Sequence, residues 1–203
     1  MRIIATTLAI VLVAASLGWA HDGEPTTFTA AWTHYAAIQQ ALANDTLDGV
    51  SDHARALRDL ARAAAADFDP GHAGVAGKQA AACKALLPRL ADSAVELAGA
   101  GSLEAARAAF VSLSEEMIAF RDMVPGERPQ VAYCPMAKHY WLQDGGQIAN
   151  PYYGKKMSRC GSFVDDDARP GRTPKKQMQG HMSHEKMQMQ GSASQGKTCC
   201  SGH

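Results

Sequence analysis

The sequence predicts an all-α protein: an antiparallel four-helix bundle, a C-terminal irregular Cys/Met segment packed on it, and a disordered tail. Three observations carry this prediction. Between Phe28 and about Phe120, apolar residues recur at helical spacing in four runs. Clusters of Asn, Asp, Gly and Pro punctuate those runs. Past Pro129 the helical period stops, and Cys, Met and aromatic residues take over.

The first expected helix carries Phe28, Trp32, Tyr35, Ile38 and Leu42 on one stripe. Asn44-Asp45-Thr46 breaks it and supplies capping side chains for the next helix. Val50, Ala54, Leu57, Ala61, Ala64 and Phe68 form the second stripe, stopped by the turn chemistry of Asp69-Pro70-Gly71. Cys83, Leu86, Leu90, Ala94 and Leu97 mark the third, with Pro88 expected to kink it. Gly99-Ala100-Gly101 ends that helix, and Ser102 is the expected N-cap of the fourth. There Leu103, Ala106, Phe110, Leu113, Met117 and Phe120 make the cleanest stripe, and Val124-Pro125-Gly126 terminates it. Short connections between amphipathic helices favour antiparallel neighbours.

Residues 1–20 read as a cleavable secretory signal peptide: Arg2, an apolar run from Ile3 to Leu17, and small residues at Gly18 and Ala20. The bundle is then expected over 21–128, the Cys/Met segment over 129–164 and the tail over 165–203. Export places the mature chain in a periplasm, with no membrane insertion after cleavage. The tail is rich in Gly, Gln, Ser and Lys and nearly free of aliphatic residues, a composition that cannot offset its ordering entropy.

The formal net charge of zero hides an asymmetry: residues 21–170 sum to −5 and residues 171–203 to +4. The basic residues are few and lack interleaved aromatics, which argues against nucleic-acid binding. Five cysteines, Cys83, Cys134, Cys160, Cys199 and Cys200, cannot all pair within one chain.

The chemistry concentrates between Tyr133 and Gly161, where Cys134-Pro-Met136 and Met157-Ser-Arg-Cys160 bracket a Gly/Pro-punctuated loop. Thiolate and thioether sulfurs select Cu(I) and similar soft ions. Met157 and Cys160 have i,i+3 spacing, which on a helical turn puts both sulfurs on one face. Asn150-Pro151 is expected to open that helix and Gly161 to cap it. His139 is a further donor, and Lys155, Lys156 and Arg159 are expected to lower the thiol pKa. A second reading fits the same spacing. A Cys134–Cys160 disulfide would close a loop of about 25 residues and stabilise the fold by about 3 kcal/mol, leaving Met136 and Met157 as packing residues. The segment is not a zinc pattern, for it has no CxxC and no His pair at ligand spacing.

The residues CPMA, WL and NPYYGKKMSRCG resemble a family of exported domains of unknown function. That family occurs alone or fused to periplasmic adaptor subunits of heavy-metal resistance-nodulation-division efflux pumps. The resemblance spans about Phe28 to Gly161. It implies a helical domain, a periplasmic location and a link to copper or silver export, with Cys134, Met136, Met157 and Cys160 at the motif positions. No adaptor hairpin or barrel segments accompany it, so the chain reads as a stand-alone version.

The tail adds Met178, His181, Met182, His184, Met187, Met189, Cys199, Cys200 and His203. Its MxxH and HxxM pairs resemble those of Met/His-rich periplasmic silver- and copper-binding proteins. A helical turn would let each pair chelate one soft ion. Other features are weaker. His21, as a mature N-terminus, is the arrangement of some copper oxygenases. His34 and His53 sit near the apolar stripes and read as packing histidines, His72 as solvated, and Cys83 as a small buried hydrophobe. Asp165-Asp166-Asp167 reads as a linker, with a hard-cation site as its other reading. No nucleophile–base pair, phosphate loop or redox CxxC is present.

These features lead to a non-enzymatic periplasmic protein that binds Cu(I), or Ag(I), and sequesters it or passes it to components of a heavy-metal efflux system. The alternative is a disulfide-stabilised module that docks on such a complex without binding metal.

Overall fold

The computed structural model describes residues 24–169. The expected signal peptide, His21 and the Met/His/Cys tail beyond Arg169 lie outside the described residues.

The four long helices occur where the periodicity puts them. α1 (Thr27–Ala43) starts at Thr26, whose hydroxyl accepts the Thr29 amide at 3.2 Å. α2 (Val50–Ala66) starts at Gly49, which adopts a left-handed conformation with no side-chain cap. Asn44-Asp45-Thr46 therefore ends α1 rather than capping α2. Asp69-Pro70-Gly71, expected as a turn, opens a one-turn helix, α3 (Pro70–Ala73), with the Asp69 carboxylate accepting the His72 amide. Pro at the first helical position costs no hydrogen bond. α4 (Ala80–Ala98) runs as one helix through Pro88. α5 (Leu103–Met123) begins at Ser102, which caps the Ala105 amide at 3.1 Å. Contacts run from α1 to α2, α2 to α4, α4 to α5 and α5 back to α1. Among the described residues no helix is long and apolar enough to cross a membrane.

The all-α expectation is corrected after Pro129. The fold is mostly helical with a small antiparallel sheet: β1 (Gln130–Cys134), β2 (His139–Gln143) and β3 (Ser162–Val164), in the order β2-β1-β3. The segment is rich in β-formers, Val131, Tyr133, Tyr140 and Trp141. The hairpin was hard to read because its turn, Pro135–Lys138, contains no Gly or Asn; Lys138 itself takes φ 61°. The expected helix through Met157 is only a 3₁₀ turn, Gly154–Met157.

The sheet shares the helical core. Val131, Ala132, Cys134, Trp141 and Leu142 join one buried cluster with Tyr35, Phe110, Leu113 and Phe120. Two buried polar groups lock the layers together. The Tyr35 hydroxyl bonds Ser114 Oγ of α5 at 2.8 Å and accepts the Leu142 amide of β2 at 3.0 Å. Burial pushes the Tyr35 hydroxyl pKa well up, so it stays protonated.

Asp165 to Arg169 also lie against α5, with a 3₁₀ turn at Asp166–Ala168. Asp166 pairs with Arg121 at 2.5 Å and Arg128 at 3.0 Å, and Arg169 binds Asp122 at 2.7 Å. Asp166, read as linker or cation ligand, is thus held among arginines.

Candidate metal centre

Cys134 ends β1 at the start of the CPMA turn. The Lys138 amide donates to its carbonyl at 2.7 Å, and the Ala137 amide donates to its Sγ at 3.3 Å. Pro135 has no N–H to offer, so the Met136 and Ala137 amides are the ones that turn toward the sulfur. CPMA therefore leads into a hairpin turn whose main-chain amides face the Cys134 sulfur.

Cys160 reaches the same place from the other end of the loop. Its amide bonds the Met157 carbonyl at 2.9 Å, closing a turn of i,i+3 spacing. The two Sγ atoms stand 3.5 Å apart, with Cys134 fully buried and Cys160 half-buried. Gly161 sits at φ 132°, and a Cβ there would collide with the Tyr133 carbonyl and the Trp141 ring. Glycine is required for Cys160 to approach β1, rather than for a helix cap.

The loop between the cysteines is organised by Asn150, which is fully buried. Its Oδ1 accepts the Tyr152 and Tyr153 amides at 2.8 and 3.2 Å, and its Nδ2 donates to the Cys160 carbonyl at 2.7 Å. Its backbone amide bonds the Ser158 carbonyl at 2.9 Å. The Asn150 side chain also hydrogen-bonds the Cys134 sulfur. Tyr152 packs its ring on Phe110, His139 and Trp141 and donates its hydroxyl to the Tyr140 carbonyl at 2.5 Å.

Arg107 of α5 fastens this loop to the helices. Its Nε binds the Pro151 carbonyl at 2.9 Å, and its Nη2 binds the Leu42 carbonyl and Asp45 Oδ1 at 2.9 and 2.5 Å. Asp45 Oδ2 accepts the Lys155 amide at 3.0 Å. The Arg107 and Lys155 hydrogen bonds hold the Asp45 carboxyl below its ordinary pKa.

The two thiols are electrostatically unequal. Burial opposes ionisation of Cys134, but hydrogen bonds from the Ala137 amide, Cys160, Asn150 and the Met136 amide outweigh it and lower its pKa. The Cys160 thiol is raised, chiefly because it donates to Cys134 and then because of burial. Of the two sulfurs, Cys134 is therefore the easier to ionise, with the Cys160 thiol as its hydrogen-bond partner. Lys155, Lys156 and Arg159, expected to lower the thiol pKa, are exposed, and main-chain and amide donors cause the shift instead.

The remaining predicted donors are placed less uniformly. His139 is the cross-strand partner of Cys134, so their side chains share one face of the sheet. Met157 is half-buried at the end of its 3₁₀ turn, and Met136 is 60% exposed in the hairpin turn. Among the described residues no three His, Cys, Asp or Glu side chains converge. An ion on the Cys pair would therefore take two thiolates, with Met thioethers as its additional soft donors. Met178, His181, Met182, His184, Met187, Met189, Cys199, Cys200 and His203 lie outside the described residues.

Asn150, Gly154, Gly161, Arg107 and Asp45 were not singled out as site residues. Asn150-Pro151 and Cys160-Gly161 were visible as local signals. The Asp45–Arg107 contact had none, since its partners lie far apart in the chain.

Residues 31–124 match the model of a family described as protein of unknown function (DUF3347). This confirms the expected likeness to a family of domains of unknown function. The match runs from within α1 to the end of α5 and stops before the Cys/Met segment. No curated protein and no solved structure matches the chain.

Proposed function

We propose that this protein binds a soft monovalent ion, Cu(I) or Ag(I), at Cys134 and Cys160, and sequesters it or passes it to a periplasmic efflux system. The helices serve as an antiparallel four-helix scaffold for the site. The observation that carries this reading is the 3.5 Å approach of two sulfurs, one of them with hydrogen-bond donors that lower its pKa. Metal binding needs deprotonated thiols, and the hydrogen bonds that lower the Cys134 pKa favour its deprotonation. Met136 and Met157, whose backbones hydrogen-bond the two cysteines, would supply further soft donors. The tail would act as a separate loading point, and the signal peptide would deliver the chain to the periplasm. The role is binding rather than catalysis.

The test is metal quantification on reduced protein in three forms: wild type, Cys134→Ser/Cys160→Ser, and a truncation after Pro170. Cutting there spares Arg169, which pairs with Asp122. The truncated form is expected to retain Cu(I) against a chelator, and the double variant to lose that portion. A truncated form that binds none defeats the proposal.

The same 3.5 Å approach favours one second reading. Oxidation would join Cys134 to Cys160, giving a disulfide-stabilised module that docks on an efflux complex. Protein isolated from the periplasm would then carry the bridge, and metal would not alter partner binding.

A further inference from the structure

His34 and His53 form a second cluster of donors that the thiol site does not use. His34 lies in the middle of α1, a helix with no Asp, Glu, Lys or Arg. His53 lies in the first turn of α2. Their Nδ1 atoms are 3.0 Å apart and their ring centroids 5.3 Å. The rings therefore meet nitrogen to nitrogen across the α1–α2 seam, and each is half-buried. Two neutral imidazoles in this arrangement hold one proton between them: one Nδ1 donates and the other accepts.

We propose that His34 and His53 form a two-imidazole site for a borderline divalent cation of the Cu(II), Ni(II) or Zn(II) class, which clips α1 to α2. Imidazole nitrogens suit these ions, as thiolates suit Cu(I), so the two sites differ in oxidation state and chemistry. With metal–nitrogen bonds of about 2.0–2.1 Å, a 3.0 Å nitrogen separation corresponds to nearly a right angle at the ion. That is the cis angle of tetragonal Cu(II) and Ni(II). Binding needs the two rings to tilt so that both lone pairs meet the ion, and their partial exposure leaves room for that. Water completes the coordination. As the ion takes both Nδ1 atoms, the Nδ1 proton of the donating ring moves to its own Nε2, so two neutral rings bind it without losing a proton. Burial and then the neighbouring His53 lower the proton affinity of His34, which keeps it in the neutral form a metal requires.

The test uses the full chain, with Ni(II) alone as the probe and the urea midpoint as the readout. An ion that bridges two helices of the folded state raises that midpoint. Wild type is expected to shift upward with Ni(II), and His34→Ala and His53→Ala are each expected to shift less than wild type. Both variants keep every thiol and every tail donor, so the difference reports on the imidazole pair whatever the thiol site does. No shift in wild type, or a shift as large in either variant as in wild type, overturns the proposal. If a variant does not fold, paramagnetic Cu(II) on wild type decides. Broadening of amide signals around residues 34 and 53 supports the site, and their survival at equimolar Cu(II) overturns it.

Discussion

Gly154 passes so close to Asp45 that a Cβ on Gly154 would overlap the Asp45 carboxylate and the Arg107 guanidinium. Asp45 follows α1, and Gly154 opens the turn that leads to Met157 and Cys160. The backbone at Gly154 is also left-handed, at φ 54°. Gly154→Ala is therefore expected to destabilise the fold by about 1–3 kcal/mol. It should also speed alkylation of Cys160, because the loop that carries it is levered off α5. Urea midpoints and thiol-labelling rates check both effects.

Asn150 makes its hydrogen bonds fully buried. Asn150→Ala strands the Cys160 carbonyl and two loop amides, at a cost of about 1–3 kcal/mol or more. It also removes a donor from the Cys134 sulfur. The Cys134 pKa should rise, measured as a later thiolate absorbance at 240 nm on raising the pH.

The thiol pair has its own titration signature. One thiolate should form below the ordinary cysteine value and the second above it. Cys160→Ala removes the S–H donor, so the remaining Cys134 thiol should titrate higher than it does in wild type. An unchanged Cys134 titration would show that the two sulfurs do not share a proton.

Oxidation should join Cys134 to Cys160, which are 26 positions apart, and raise stability by about 3 kcal/mol in the chain-entropy model. The bridge and the ion compete for the same sulfurs. Oxidised protein truncated after Pro170 should bind no Cu(I), and reduction should restore binding.

Cys83 is buried on the apolar stripe of α4, and burial pushes its thiol pKa up to about 11. The folded value lies above the unfolded one. Its contribution to stability is therefore present below the unfolded pKa near 9 and lost as pH rises through 11. Urea midpoints between pH 8 and 11 should fall more steeply in wild type than in Cys83→Ala.

The helices were legible because each is amphipathic by itself. Phe110, Leu113, Met117 and Phe120 lie on one face whatever they pack against, and Ser102 caps α5 through a bond within one turn. Cys134 and Cys160 were legible as a pair because each sits in a short motif with its own turn chemistry. The hairpin was not, since Lys138 fills a position where glycine would have announced it. The charge arrangement was not either. Lysines near a cysteine in sequence suggested one cause of a low thiol pKa, and main-chain amides supplied another.

The sequence by itself determined the four long helices, most of their ends and the soft-donor character of the Cys/Met segment, for these depend on periodicity, local caps and side-chain chemistry. Tertiary structure alone decided the sheet, the Asp45–Arg107 fastening, the 3.5 Å meeting of Cys134 and Cys160, and the encounter of His34 with His53. Each of these joins groups distant in the chain. Their juxtaposition follows from how α1, α2, α5 and the hairpin share one core, which no local pattern encodes.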